Sequence, residues 1–456
     1  MQDVPYKWLS PKGALWSSSV IESHQYSCNK AVKTGALPRI LLYSVRPTRT
    51  QKLSIGHRCM LLLVLLFCLS SAQGQADYNA DYLYFLQSPI RIEHRLALRS
   101  GGFEVYLKVQ SLRFEEKPLI EGRLVTDSSL YVYDGPGYAS LADSLFDSHD
   151  KSNYYRVMLD DPGGSFAGLQ VKVQAAAEER IYYYTVPLRH PLIFDAPDLT
   201  LWEAEAKRPI FLPYLHTGEP CRIKSSKCKG ILTVYYYSQS FLPAISPMAT
   251  SADVKKALEH DSIFHVRADT TLSFAAPGLY FVQTDSSGLR GLSLRVEEKP
   301  FPRMAEPADL VRPVIYMSTR QERDMLFEAR DKKDALDDYW IGVAQTRDQA
   351  RRIIKSYYRQ VTRSNLLFTN YKPGWQTDPG MVYIIFGKPD EVHLSLQGEE
   401  WVYHRKGYIS GITFTFVRVK NIFTPWHLEL IRDPEYERKW FGMVSAWRKG
   451  LVTIYE

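Results

Sequence analysis

Gly374-Trp375-Gln376-Thr377-Asp378-Pro379-Gly380, followed at once by MVYIIFGKPDEV (Met381 to Val392), is the stretch whose reading decides how the last third of this chain folds. Gly374 permits an unusual backbone angle, and Trp375 is large enough to anchor a loop against a core. Thr377 and Asp378 carry short side chains that bond backbone N–H groups just ahead, and Asp378-Pro379-Gly380 is a turn sequence. The apolar run 381–386 then predicts a strand, closed by a second turn at Gly387-Lys388-Pro389-Asp390. Further strands are expected at 400–404, which holds Trp401 and Tyr403, and at 412–419 and 426–431. Together they predict a four-stranded antiparallel sheet. In this reading the motif is a structural joint, so Trp375→Ala should be disruptive and Asp378→Asn mild.

Working upstream, apolar residues at 350, 353, 354, 357, 358 and 361 recur at helical spacing. The outer face of that helix carries Arg351, Arg352, Lys355 and Arg359. It is either a solvated face or a docking face for an acidic partner. Thr319-x-x-Glu322 has the spacing of a capping box and opens an earlier helix. Downstream, Asp433-Pro434-Glu435 predicts the start of a last helix, with Asp433 as N-cap. Trp440 and Trp447 on its apolar side are packing residues or, if left uncovered, a partner-binding stripe.

These features also carry a resemblance. Leu336-Asp337-Asp338-Tyr339-Trp340, the Tyr357-Tyr358-Arg359 helix, PGWQTDPGMVYIIFGKPDEV and Glu400-Trp401-Val402-Tyr403 occur in the order found in the GWxTD domain of bacterial exported proteins. The chain is similar to that family over about 310–456, and the five-letter motif is intact. It departs at Ile341-Gly342-Val343-Ala344, where the family often has a basic stretch. The resemblance implies a fold and an exported compartment, and no activity. A strand ending Gly-x-Pro-Asp before a Trp-x-Tyr strand is also similar, at the level of a hairpin, to small lipoproteins of outer-membrane assembly.

Toward the N-terminus, residues 60–69 are a ten-residue apolar run behind Lys52, His57 and Arg58, followed by small residues at 70–72 and 74. That is the pattern of a signal peptide. It is shorter than the ~20 apolar residues of a membrane span. Residues 1–74 are therefore expected as a leader, of which 1–52 read as an over-extended start. Nine of the 57 basic residues and two of the 50 acidic ones lie there, which leaves 48 of each in the remainder. A balanced remainder argues against nucleic-acid binding, which needs a basic surface. Of five cysteines, Cys221 and Cys228 follow the leader. In an oxidising compartment they are expected to form a local disulfide.

Between leader and motif the pattern is β-rich. Short alternating runs at 91–98, 103–109, 119–125, 130–133, 154–159, 168–173 and 181–186 predict an immunoglobulin-like antiparallel sandwich, with 143–153 as a surface loop. Strands at 231–237, 263–267, 278–284 and 292–296 predict a second β-sandwich module, with a short helix at 251–260. The fold expectation is thus multidomain and mainly β. Two sandwiches (75–200 and 201–302) precede an α+β domain with a helical lead-in and a C-terminal helix (303–456).

Asp378 and Asp390 are the carboxylates closest to an acid/base pair, yet each sits in a turn that explains it locally. His427 and Glu429 share a strand face without further ligands, so no metal and no cofactor is expected. No nucleophile elbow, zinc-protease helix or phosphate loop is present. The expectation is an exported, non-catalytic protein of the periplasm or outer-membrane face. It would bind other envelope proteins as a structural or assembly factor, with peripheral association with the outer membrane. The alternatives are a hydrolase or carbohydrate-active enzyme with a dispersed site, and a glycan- or peptidoglycan-binding module.

Overall fold

The computed structural model describes residues 78–452, apart from 114–115, 176–177, 227–228, 240, 250–257, 287, 345 and 405–410. The leader and most of the helix expected at 251–260 lie outside the described residues.

Period-two alternation builds the first core. Strands β1 (Ile90–Arg99), β2 (Gly102–Ser111), β3 (Leu119–Val125), β4 (Ala139–Ser140), β5 (Leu145–His149), β6 (Ser152–Asp160), β7 (Ala167–Gln174) and β8 (Ile181–Arg189) form two sheets of four. Their orders are β1-β2-β6-β5 and β4-β3-β7-β8, with antiparallel pairing throughout. β2 buries Phe103, Val105, Leu107 and Val109 at every second position. β7 meets them with Leu169, Val171 and Val173, as in a sandwich. Two details differ from the sequence reading. Residues 130–133 are no strand; Leu130 and Tyr133 are buried anchors of a loop, three residues apart and so out of step with the two-residue period of a strand. The expected loop 143–153 contains β5, an edge strand with no buried position and hence no apolar pattern to read.

The second core lies between a five-stranded and a three-stranded sheet. Its strands are β9 (Leu199–Glu203), β10 (Tyr214–His216), β11 (Cys221–Ser225), β12 (Ile231–Tyr237), β13 (Ser262–Arg267), β14 (Thr271–Leu272), β15 (Gly278–Gln283) and β16 (Leu292–Glu297). The sheet orders are β10-β16-β15-β12-β13 and β14-β11-β9; only β10 with β16 pairs in parallel. β15 is buried along its whole length. Tyr280 and Val282 face this core, while Leu279 and Phe281 face Tyr371 and Phe423 of the C-terminal region. Cys221 is a free thiol buried in this core, not the disulfide half expected from sequence. Burial pushes its thiol up to about 12. Its side chain packs inward with Ile223 on a strand that runs extended to Ser225; Cys228 lies outside the described residues.

The third core is α+β. Helix α1 (Pro307–Leu310) and a 3-10 turn (Arg312–Tyr316) lead into α2 (Arg320–Glu328), α3 (Lys332–Ala344) and α4 (Arg347–Phe368). The capping box at α2 is complete: Thr319 accepts from the Glu322 amide and Glu322 from the Thr319 amide. α4 buries Ala350, Ile353, Tyr357, Val361 and Phe368, the stripe that its spacing predicts. Helix α5 (Asp378–Phe386), strands β17 (Glu391–Leu394), β18 (Gly398–Tyr403), β19 (Ile412–Arg418) and β20 (Leu428–Leu430), and helix α6 (Tyr436–Arg448) complete the region.

Residues 381–386, expected as the first strand of the sheet, are helical. All nine residues of α5 are buried, so their apolar run has neither period, and composition alone favours a strand. The ends settle the matter. Thr377 caps the helix, Pro379 stands in its first turn, and Gly387 leaves it at φ 78°. The four-stranded antiparallel sheet exists, with 391–394 as its first strand.

Two segments tie the cores together. The aromatic segment around the 3-10 turn Asp81–Tyr84 lies between the first sandwich and the C-terminal sheet. Tyr78 and Tyr82 donate to the carbonyls of Ile181 and Tyr183, and Ala80 donates to the Val392 carbonyl at 2.9 Å. Asp81 pairs with both Arg180 and Lys388. From the second module, residues 241–248 reach across the C-terminal core, where Ala244 and Met248 pack.

Candidate functional site

The motif sits where α4, α5, β20 and the 241–248 segment meet, and its residues divide the work. Gly374 is required by close approach rather than by backbone angle: a Cβ would stand 2.0 Å from the Ser364 carbonyl oxygen of α4. Gly380 likewise has no room, with the Gly374 oxygen 1.9 Å from its Cβ position. It belongs to the first turn of α5, not to the turn expected at 378–380. Trp375 is 2% exposed. Its amide donates to Asn365 Oδ1 at 3.0 Å and its carbonyl accepts from Tyr316 Oη at 2.9 Å. The Arg312 guanidinium lies 5.5 Å from the indole centre. Gln376 donates to the Phe241 carbonyl at 3.0 Å. Thr377 Oγ1 accepts from the Gly380 amide at 3.0 Å and donates to the Gly374 carbonyl at 2.7 Å.

Asp378 departs most from the sequence reading. It bonds no amide just ahead; its carboxylate accepts from the two terminal guanidinium nitrogens of Arg432, Nη1 and Nη2, at 2.5 and 2.6 Å, and from the Leu430 amide at 2.7 Å. This bidentate geometry fixes β20 and its exit against the start of α5. Arg432 also donates to the Leu430 carbonyl and, at 3.5 Å, to Ile245 of the crossing segment. Lys372 donates to the Leu242 carbonyl at 3.4 Å. Burial, partly offset by Asp378 and Glu429, holds its ammonium below the usual lysine range.

Residues 278–449 match the GWxTD domain family. This region is a GWxTD domain. The match begins with β15, about thirty residues before the resemblance starts in the sequence, and the burial of β15 between the second core and Tyr371 supplies the physical reason. No curated protein matches the chain. A solved structure of the C-terminal 282-residue fragment of intimin, in complex with the intimin-binding domain of the translocated intimin receptor, matches at 12% identity. The match covers 53% of this chain and 79% of that chain, with a TM-score of 0.14.

The remaining GWxTD-domain residues singled out from sequence are structural in their contacts. Gly387 ends α5 and its carbonyl accepts from Tyr403 Oη at 2.9 Å. Pro389 lies in the turn that follows, where its carbonyl accepts from Lys388. Asp390 accepts the His404 amide through its carboxylate at 2.8 Å. Trp401 is fully buried and donates to Glu399 Oε2 at 2.9 Å; Tyr84 Oη donates to the same oxygen at 2.6 Å. Asp378 and Asp390 stand at opposite ends of α5, a nine-residue helix roughly 13 Å long. They are therefore not brought together. His427 and Glu429 pair at 3.2 Å. Among the described residues no group of three metal-binding side chains converges, and no helix is long and apolar enough to cross a membrane.

Of the residues offered as a partner face, Arg351, Arg352 and Lys355 are exposed on α4 and Arg359 is half-buried. Arg351 lies 3.5 Å from Asp348. Trp440 and Trp447 are 5% and 1% exposed and belong to the core, so this chain itself covers the face they would make. Trp447 donates to the Ile385 carbonyl of α5 at 2.8 Å. Sequence reasoning misses Arg432, Asn365 and the two crossing segments. Neither Asn365 nor Arg432 lies near its partner in sequence; a complete N-cap at Thr377 is the readable sign that a helix, not a strand, begins there.

Proposed function

We propose that this is an exported envelope protein that acts by binding other proteins, as a structural or assembly factor on the periplasmic side of the outer membrane. One observation carries the reading. The motif that marks the domain directs polar groups inward, onto Asn365 of α4, Leu430 of β20 and Phe241 of the crossing segment, and so works as a clamp between modules. A clamp of this kind supports a rigid multi-module scaffold whose outward surfaces meet partners. The leader supports export. The exposed cations of α4 supply a face for an acidic partner, where charge complementarity favours encounter and orientation.

The test is cross-linking and affinity capture of the full chain from native membranes, beside Arg351→Glu/Arg352→Glu/Lys355→Glu. The expected result is a reproducible envelope protein that the triple variant, still folded by circular dichroism, no longer retains. Recovery of no envelope protein by the native chain overturns the reading. Equal capture by the variant removes α4 as the docking face.

A further inference from the structure

A groove of about 600 Å³ lies on the GWxTD domain between the end of α3 and the outer side of α6, with the start of α4 in its wall. Gly342 and Val343 line it from α3, Gln349 from α4, and Phe441 and Val444 from α6, with Arg448 and Lys449 at the end of that helix. It shares no residue with the motif clamp. We propose that this groove seats an amphipathic helix of a partner protein, apolar on the side that enters and acidic beside it. Such a helix would anchor the acidic partner of α4, and to that extent rests on the reading of α4 as a docking face.

The lining selects an apolar, helical occupant. Phe441 is 54% exposed although the residue before it, Trp440, is buried. Phe441, Val444 and Arg448 recur at i, i+3 and i+7, so one face of α6 makes a wall, and the buried Val343 and Val444 make the floor. Gly342 keeps the α3 side low: a Cβ there would meet nothing within 4 Å, and its φ is not positive. Glycine inside a helix is unfavourable relative to alanine, and no contact within this chain calls for it here. It leaves a path by which another backbone can approach α3. The walls are helices, which offer no open strand edge to an extended peptide. What fits is a helix that satisfies its own backbone and inserts side chains at i, i+3 or i+4 and i+7.

Charge decides between an acidic partner and a second copy. The two charged residues that line the groove are both cationic. Arg448 is engaged, donating to Glu322 of α2 at 2.7 and 3.0 Å. Lys449 is exposed, and its ammonium meets no acid among the described residues. Its backbone is held, since its carbonyl accepts from Gln349 Nε2 at 2.7 Å. Arg347 and Arg352, exposed on the turns of α4 around Gln349, continue the positive rim and likewise meet no acid among the described residues. Asp348 between them pairs with Arg351. The opposing charges are Asp338 of α3 and Glu437 of α6, each one turn back from the lining. The cations at the groove itself favour carboxylates on the occupant. A second copy of this chain would bring the same cations to both sides of the contact.

The experiment is fluorescence anisotropy of the full chain with two synthetic helical peptides that share a leucine stripe at i, i+3, i+4 and i+7. One carries Glu on its flanks, the other Lys. Gly342→Leu fills the open groove at a position where the helix gains propensity, so the variant should melt no lower than the native chain. If it does not fold, Phe441→Ala, which removes a half-exposed ring, carries the same comparison. The expected result is saturable binding of the Glu peptide, weaker by at least about tenfold for the Lys peptide, in Gly342→Leu and in Lys449→Glu. No binding of the Glu peptide, equal binding of both peptides, or undiminished binding to the folded groove variants overturns the proposal. So does self-association in sedimentation that Gly342→Leu abolishes, which would make a second copy the occupant. Gly342→Leu leaves the α4 cations in place. If it captures envelope protein as the native chain does, while Arg351→Glu/Arg352→Glu/Lys355→Glu does not, the groove fails and the α4 face stands. Peptide binding by a chain that captures no envelope protein overturns the envelope reading and not the groove.

Discussion

Asp378 and Arg432 face each other as a bidentate ion pair across 54 residues of chain, and the Leu430 amide is a third donor to the same carboxylate. Both side chains are mostly buried, at 10% and 19% exposure. Removing one partner therefore leaves a buried charge uncompensated, which costs about 3–5 kcal/mol where burial is complete. Some water reaches Arg432, so Asp378→Ala is expected at the lower end, about 3 kcal/mol, and Asp378→Asn about 2 kcal/mol because one acceptor survives. This reverses the mild effect that a local turn would give. Urea unfolding measures it, and Asp378→Leu/Arg432→Leu should recover part of the loss. A cost for Asp378→Asn below about 0.5 kcal/mol would mean that the pair contributes nothing to the joint.

A single substitution separates two kinds of glycine in the GWxTD domain. Gly374→Ala and Gly380→Ala drive a methyl into backbone oxygens that cannot yield, at 2.0 and 1.9 Å. Each should cost about 3 kcal/mol or more, the upper end of overpacking. Gly442 lies inside α6, and a methyl added there would meet nothing within 4 Å. Gly442→Ala should stabilise by about 0.5–1 kcal/mol, the helix-propensity difference. Thermal melts of the three variants check this. Equal effects at Gly380 and Gly442 would contradict the packing argument.

How much of the fold is legible in the sequence depends on where each residue finds its partner. The β2 alternation, the α4 stripe and the Thr319–Glu322 capping box are local patterns, and the structure reproduces them. Asp378 reads as a turn residue because Pro379 and Gly380 follow it, and nothing in the sequence points to Arg432. Burial on every side hides the helix at 381–386, since a uniformly apolar run has no face. The cap at Thr377 is readable, but the β-branched composition behind it argues the other way. The spacing of Trp440 and Trp447 puts them on the correct helix face; whether the fold covers that face is a tertiary matter.

The segment before the first sandwich should matter to the last domain. Asn79 Oδ1 accepts the Val392 amide at 2.9 Å, and its Nδ2 donates to the Asp390 carbonyl at 3.1 Å, more than 300 residues away. Asn79→Ala leaves both groups without that partner and should cost about 1–3 kcal/mol. Hydrogen exchange at β17 is the sharper readout. Faster exchange of the Val392 amide is expected with little change in β2; protection unchanged at Val392 would show that the contact does not hold the domain.

Acid sensitivity should arise from two histidines, His94 and His190. His94 meets Trp426 edge-on at 5.2 Å, and its Nδ1 lies 2.7 Å from Tyr184 Oη. Burial first, and the Arg95 charge second, lower its imidazole from 6.5 to about 3. His190 is lowered to about 4 by burial and then by Arg418, and its Nδ1 accepts the Leu192 amide at 3.1 Å. In both, the folded state disfavours the proton. Above 6.5 neither state is charged and no stability difference results. As pH falls below 6.5 the unfolded chain takes up protons first, so stability declines until the folded values near 3 and 4 are reached. The slope is at most about 1.4 kcal/mol per pH unit for each histidine. Urea midpoints measured between about pH 7.5 and 5.5 should therefore fall more steeply in the native chain than in His94→Gln/His190→Gln. Parallel pH profiles for the two proteins would assign the acid sensitivity elsewhere.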